Sequence, residues 1–507
     1  LLSSAIKAAA GEETRSRSLV AGLLSSLCWL FRCERSLYNL SAGSWTSSNP
    51  PPKSLLFCTQ DTDFVLYLRM DYTAFGDRSN RDRVVLLVLL LWAVFLTAQP
   101  TPQWVGSWAA AQQLVEPHNS LTGADLPNAT LRQVVHLSVG GTQLRLRVSN
   151  RFGTAPLRIA SVHVAQAVSP TSSKISASSD KALSSAGRHD VVIPAGADYL
   201  SDPITMPVTA LSDLAITFYA DLPSEQTGHP GSRATSYLVH GDLTSAAELI
   251  DAKTVDHWYF IAGIDVLSSA QSSAVVVLGD SITDGHGATT NGNDRWPDQL
   301  AKRLQSNPTT RDIAVLNQGI GGNRMLMDGL GPNALARFND DVIAQTGARY
   351  LIVLEGINDI GMLGRTGEAT PAEHDQLARE IIGAYEQIVE RAHIHGIKVA
   401  GCTVLPFMGS DFYHPGPASE SDRQAVNQWI RTPGHFDVVI DFDQVMRDPA
   451  NPGYLLPKFD SGDHLHPSPA GYAAMSDAVP LTFFIPEKVS GRTPKATGRS
   501  TASHPDK

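Results

Sequence analysis

From residue 104 to about 269, apolar and polar positions alternate with a period of two. In 143–149, Leu144, Leu146 and Val148 fall on one side and Arg145, Arg147 and Ser149 on the other, the pattern of a half-buried strand. Residues 134–139 read as its hairpin partner across Gly140-Gly141. Further strands are expected at 157–165, 190–193, 213–219 and 258–266, with Pro, Gly and Ser between them. Short strands at such intervals predict a jelly-roll-like β-sandwich over 99–270. After Ser273 the rhythm changes. Short β-branched runs at 274–278, 313–316, 350–354, 397–404 and 437–440 alternate with helical periods at 296–305, 334–345, 371–395, 419–430 and 469–479. That alternation predicts an α/β domain over 271–486, a parallel sheet with helices on both faces.

The flanks read differently. Residues 84–96 are an unbroken apolar run behind Arg78, Arg81 and Arg83, followed by Thr97-Ala98. This is the form of a secretory signal peptide over 70–98, cut near Ala98. The run is shorter than the ~20 residues a spanning helix needs, so secretion is expected, with a signal-anchored protein as the alternative. Residues 1–69 are expected to be a non-structural upstream extension, and 487–507, polar and basic, a disordered tail. Cys28, Cys33 and Cys58 lie upstream of the cut and leave only Cys402 behind it, so core burial rather than disulfides must hold the fold. Asn128-Ala129-Thr130 fits a glycosylation acceptor.

With 507 residues, 42% hydrophobic and 18% charged, the chain can bury a sizeable core. Its net charge is −10, and it has no long basic run. Nucleic acid and stable membrane association are therefore not expected.

In open parallel sheets, ligands sit beyond the carboxyl ends of the strands, and the loops there hold the candidate chemistry. The first is Gly279-Asp280-Ser281-Ile282-Thr283-Asp284-Gly285. It would lift Ser281 from the sheet on a loop, with the next helix near Asn293; by itself it is equally a polar turn. The second, Asn317-Gln318-Gly319-Ile320-Gly321-Gly322-Asn323, lets backbone N–H groups approach an oxyanion, or is only a flexible turn. It lacks the Gly-Lys-Ser/Thr ending of a phosphate loop. The third, Glu355-Gly356-Ile357-Asn358-Asp359, offers an amide for developing negative charge, or an Asx turn. The last, Asp463-His464-Leu465-His466-Pro467, places an aspartate three residues before a histidine, as a serine's base and its orienting group require. A metal pair from His464 and His466 lacks a third ligand.

Together and in this order the loops resemble the SGNH hydrolases, the GDSL lipase/acylhydrolase family, across about 274–479. The resemblance implies a flavodoxin-like sheet, with Ser281 as nucleophile, His466 as base and Asp463 orienting it. It further implies an oxyanion hole from the Ser281 and Gly322 N–H groups and the Asn358 amide, with Gly279, Asp280 and Gly356 in support. It implies no metal and no organic cofactor. Trp104-Val-Gly-Ser-Trp-Ala109, Thr130-Leu-Arg-Gln133, Arg147-Val-Ser-Asn-Arg-Phe-Gly153 and Ser201-Asp-Pro203 look like the β domain of a two-domain branch, similar to esterases of xylan-degrading gene clusters. The expected activity is hydrolysis of small-molecule or carbohydrate esters, with short acyl groups. The rivals are a carbohydrate-binding protein with a vestigial hydrolase domain, and a lipase or lysophospholipase on the same scaffold. Trp104, Trp108, Trp258 and Tyr259 are expected in the core, and Trp296 and Phe412-Tyr413-His414 at the pocket rim.

Overall fold

The computed structural model describes residues 101–365 and 369–485, together with the backbone of 54–61 and 64–71. Ser54–Asp61 pairs antiparallel with Phe64–Asp71 in a unit of its own, Leu1–Ala98. The expected signal segment at 70–98, apart from its first two residues, most of the expected extension at 1–69 and the expected tail at 487–507 lie outside the described residues. Everything that follows concerns a second compact unit, Gln99–Lys507.

In its first part, residues 101–268 form antiparallel sheets. One runs Ser236–His240, Ala129–His136, Asp213–Ala220 and Leu157–Gln166 side by side. Another places Gly141–Ser149 beside Ile261–Ser268, and that strand beside Gln103–Ala109. The expected hairpin across Gly140-Gly141 is therefore not formed: the two strands belong to different sheets. The burial patterns give the reason. Gly141–Ser149 alternates, but Ala129–His136 is buried at every position except its last, Arg132 and Gln133 included. Such a strand lies inside its sheet, and Asp213–Ala220 and Ser236–His240 take both of its hydrogen-bonding edges, leaving none for Gly141–Ser149. The expected strand at 258–266 is broken at Phe260, whose φ of 62° interrupts extended backbone. Trp108, Trp258 and Tyr259 are buried, as expected, whereas Trp104 is half-buried beneath the Arg145 guanidinium.

The second part is a parallel sheet of β1 (Ser273–Gly279), β2 (Ile313–Gly319), β3 (Ala348–Leu354), β4 (Lys398–Cys402) and β5 (Val438–Ile440), in the order 2-1-3-4-5. β1 is buried at every position, as a central strand covered on both faces must be. The helices Trp296–Ser306, Pro371–Ile394, Pro417–Arg431 and Pro469–Ala478 begin and end within two residues of the periods in the sequence. Each has Pro in its first turn, where the missing N–H costs nothing. The expected helix at 334–345 is instead Ala334–Phe338 followed by a wider π turn, Asn339–Ile343. Cys402 is buried in β4, where burial pushes its thiol up.

One continuous apolar core runs through both parts, from Val105, Leu131, Leu146 and Ile264 to Val275, Leu316 and Ile352. β2, an edge strand, does not face water: Ser138 Oγ accepts from Val315 N at 3.0 Å and donates to Ser107 O at 2.6 Å. Gly106 N also donates to Thr346 O at 2.9 Å. The antiparallel part thus satisfies backbone groups that an open edge would leave exposed.

Candidate active site

The C-terminal ends of β1, β2 and β3 converge where the strand order reverses, the usual ligand position in such sheets. A single guanidinium ties them from below. Arg337 donates to Gly279 O at 2.9 Å and to Gln318 O at 2.6 Å, and lies 3.4 Å from Glu355.

Ser281 follows β1 but is not on a loop, contrary to expectation. It opens a one-turn helix, Ser281–Asp284, because Asp280 caps it by accepting from Ile282 N at 2.9 Å, and Gly285, with φ of 102°, closes it. At the first helical position the Ser281 N–H has no intrahelical acceptor. Ser281 Oγ lies 2.8 Å from His466 Nε2, and His466 Nδ1 lies 2.5 Å from Asp463 Oδ2. The other carboxylate oxygen, Asp463 Oδ1, accepts from His466 N at 2.8 Å and Leu465 N at 3.0 Å. Partial burial pushes the Asp463 carboxyl up. The His466 hydrogen bond and charge and the two N–H groups outweigh it, and hold the group well below the usual carboxylate range. An ionised Asp463 accepting from Nδ1–H leaves Nε2 free to accept the serine proton.

Gly322 sits with φ of 68° in the turn closed by Asn323 N on Ile320 O, a conformation that favours glycine. Among the described residues its N–H has no protein acceptor. Asn358, expected on a loop, is the second residue of a helix, Ile357–Arg365, which follows Gly356 at φ 102°. Its Nδ2 donates to Asn323 O at 2.7 Å and its Oδ1 accepts from the Tyr413 hydroxyl at 2.5 Å. The next residue, Asp359, accepts from Met325 N and Leu326 N, which pins this helix to the glycine loop. All the residues expected at the site therefore surround the end of the sheet.

Beneath them lies a buried acidic cluster. Burial first, and then the Asp359 charge, push Asp280 up to about 7, against the Ile282 N–H and Arg337. Burial raises Asp359 to about 6 despite its two N–H donors, and raises Glu355 well above its ordinary value. Asp280 Oδ2 and Glu355 Oε2 are buried without hydrogen-bond partners in the protein. Carboxyls so placed favour the neutral form.

Four functional neighbours escaped the sequence reading. His229 comes from the antiparallel part and bridges Ala111 O and Asp284 Oδ1, each at 2.8 Å, so that it grips the helix carrying Ser281. His286 lies against His466 with ring centroids 4.1 Å apart, and Arg233 Nη2 donates to its Nδ1 at 2.8 Å. Arg337 is the fourth. Only the Gly-Pro punctuation around His229 marks any of them in the sequence. The expected rim residue Trp296 is fully buried against Phe442. Phe412 and His414 are exposed, and Tyr413 is buried.

His464 turns away to Asp460 at 2.6 Å. Among the described residues, the groups able to approach a metal are His286, Asp463 and His466, whose ligand atoms lie within 4.8 Å of one another. Two of the three already belong to the hydrogen-bonded chain ending at Ser281. Two water-sized hollows of about 20 Å³ lie elsewhere, one lined by Leu146, Ile159 and Val191 and the other by Trp108, Ser138 and Val315. Neither is lined by Ser281, His466 or Asp463. Among the described residues no helix is long and apolar enough to cross a membrane.

Residues 277–474 match the model of the GDSL-like Lipase/Acylhydrolase family. No curated protein matches the chain. Among solved structures, the chain is similar to a putative lipolytic protein of the G-D-S-L family from Desulfitobacterium hafniense DCB-2. The identity is 22%, over 41% of this chain and 97% of that one, with a TM-score of 0.31. A putative acylhydrolase from Bacteroides fragilis is 23% identical over 41% of this chain and 84% of that one, with a TM-score of 0.30. An acetyl xylan esterase from Geobacillus stearothermophilus is 20% identical over 41% and 93%, with a TM-score of 0.31.

Proposed function

Residues 277–474 being a GDSL-like lipase/acylhydrolase domain, and the chain accordingly an ester hydrolase, we propose that it is a secreted serine esterase acting on short acyl esters, carbohydrate esters among them, through a Ser281–His466–Asp463 triad. The observation that carries this reading is the unbroken chain from Ser281 Oγ through the His466 ring to Asp463, with links of 2.8 and 2.5 Å.

Ser281 Oγ bonds to the acyl carbon as its proton passes to His466 Nε2. The resulting oxyanion receives the Ser281 and Gly322 N–H groups and the free Nδ2 hydrogen of Asn358. When the tetrahedral intermediate collapses, the alkoxide leaves and takes the proton from His466. Water then attacks the acyl-enzyme, His466 takes its proton, and the carboxylic acid departs as Ser281 regains its hydrogen. No step calls for a metal or an organic cofactor.

Burial of Trp108, Trp258 and Tyr259 and the shared core favour the antiparallel part as a sandwich-like support for the catalytic domain over an independent sugar platform. Within 271–486 the sequence has no long apolar run outside its strands, which favours short over long acyl chains. Secretion rests on the segment 70–98. The test is acetate release from aryl acetates and acetylated polysaccharides by the protein and its Ser281→Ala variant. Binding of glycans with no hydrolysis would support the vestigial reading, and preference for long-chain esters the lipase reading.

A further inference from the structure

One cation at the triad is contributed by the antiparallel part and is used by nothing in the mechanism. Arg233 stands in left-handed backbone, φ 50°, held there by Asn291 N on its carbonyl at 2.8 Å. A non-glycine residue in that region carries strain, which turns and functional sites retain. The side chain reaches His286, and the His286 ring lies on His466. His286 is itself fixed from behind, since the Tyr472 hydroxyl donates to its carbonyl at 2.6 Å.

Arg233 has no carboxylate partner among the described residues. The two carboxylates acting on His286 are already engaged: Asp284 with His229 at 2.8 Å, and Asp463 with His466 at 2.5 Å. Arg233 Nε is buried and also lacks an acceptor. His286 adds no second charge: its Nδ1 accepts from Arg233 and so carries no proton, and partial desolvation with the His466 and Arg233 charges lowers the ring to about 4. A half-buried guanidinium thus stands unpaired beside the base of an acidic protein.

Its position fixes which half of an ester it meets. His466 must protonate the departing oxygen, so groups that lie against its ring border the alcohol and not the acyl chain. We propose that Arg233 selects esters whose alcohol carries a carboxylate, the class to which acylated acidic sugars belong. This rests on the esterase reading above. Arg is suited to it, because its planar fork binds a carboxylate through two parallel N–H bonds.

The test compares para-acetoxybenzoate with para-acetoxybenzamide, two acetates of similar size that differ by one charge on the alcohol. Each rate is corrected for spontaneous hydrolysis. The wild-type kcat/KM should favour the benzoate by roughly fivefold to tenfold, the worth of one partly screened charge-assisted contact. In Arg233→Gln the ratio should fall to about one through KM, and Arg233→Lys should keep part of it. In the wild type, salt raised to about 0.5 M should shrink the preference without any substitution. Equal wild-type rates, or a preference that survives in Arg233→Gln, would overturn the proposal while turnover of the benzamide ester kept the esterase reading intact. Hydrolysis of neither ester would end both.

Discussion

The Tyr413 hydroxyl donates to Asn358 Oδ1 at 2.5 Å, in a buried contact between residues 55 positions apart. With Oδ1 held there and one Nδ2 hydrogen on Asn323 O, the amide cannot flip, and its remaining hydrogen has one direction left. Preorganisation of this kind is what makes an oxyanion donor effective. Tyr413→Phe should therefore lower kcat roughly tenfold with little change in KM, because a loosened donor fails mainly in the transition state. Steady-state kinetics on an aryl acetate decide it. A rise in KM at unchanged kcat would make Tyr413 part of substrate binding instead.

Removing the donor itself should cost more. Asn358→Ala should slow turnover by roughly 10²–10³. An effect under about threefold would assign Asn358 to holding the glycine loop through Asn323 rather than to the oxyanion.

The His229 bridge predicts a joint loss of stability and activity. Its ring joins the antiparallel part to the helix of Ser281, and Asp284 is buried around the contact. His229→Ala leaves that carboxylate and the Ala111 carbonyl unsatisfied, at a cost of about 3 kcal/mol. Urea denaturation should show the loss, and kcat should fall with it because the nucleophile's helix is freed.

The acidic cluster gives stability a pH dependence of definite sign. Asp280 is raised from 3.8 to about 7 and Asp359 to about 6. Between about pH 4 and 7 the folded state thus keeps protons that the unfolded chain releases, so stability declines as pH rises through that window. Asp463 acts oppositely and lower down. Its folded carboxyl lies below 3.8, so its contribution is present above that pH and is lost as pH falls towards its folded value. Tm should drop from pH 5 to 8, and Asp280→Asn, which resembles the protonated acid, should flatten the drop. A wild-type Tm that rises over that range would contradict the account.

The continuous core predicts that a chain cut to 271–486 does not fold alone. The cut uncovers Leu316 and leaves Val315 N without Ser138. Circular dichroism and denaturant melting of the cut chain test this. A cooperative transition would show the catalytic part to be self-sufficient.

The parallel sheet was legible because its strands are short, β-branched and bounded by Gly or Asp, and its long helices carry a clear period. The hydrogen-bonded arrangement of Ser281, His466 and Asp463 was legible for a related reason: Asp463 and His466 share one loop, and Ser281 directly follows a strand. Three things were not. The helix Ser281–Asp284 is too short to show a period, so it exists only through its caps, Asp280 and Gly285. Residues 134–139 read as the hairpin partner of 143–149, because Gly140-Gly141 looks the same whether the chain turns back or crosses to another sheet. Arg233 and His229 were invisible as site residues, since their place depends on how the antiparallel part packs against the sheet, which no local pattern encodes.

Trapping the nucleophile tests the central claim most directly. The protein would be treated with a fluorophosphonate, and the modified residue located by mass spectrometry alongside the decline in aryl acetate hydrolysis. One adduct per chain on Ser281, lost activity in proportion to it, and no labelling of His466→Ala are the predicted results. An adduct elsewhere, or a Ser281→Ala variant that still hydrolyses the ester at the wild-type rate, would contradict it.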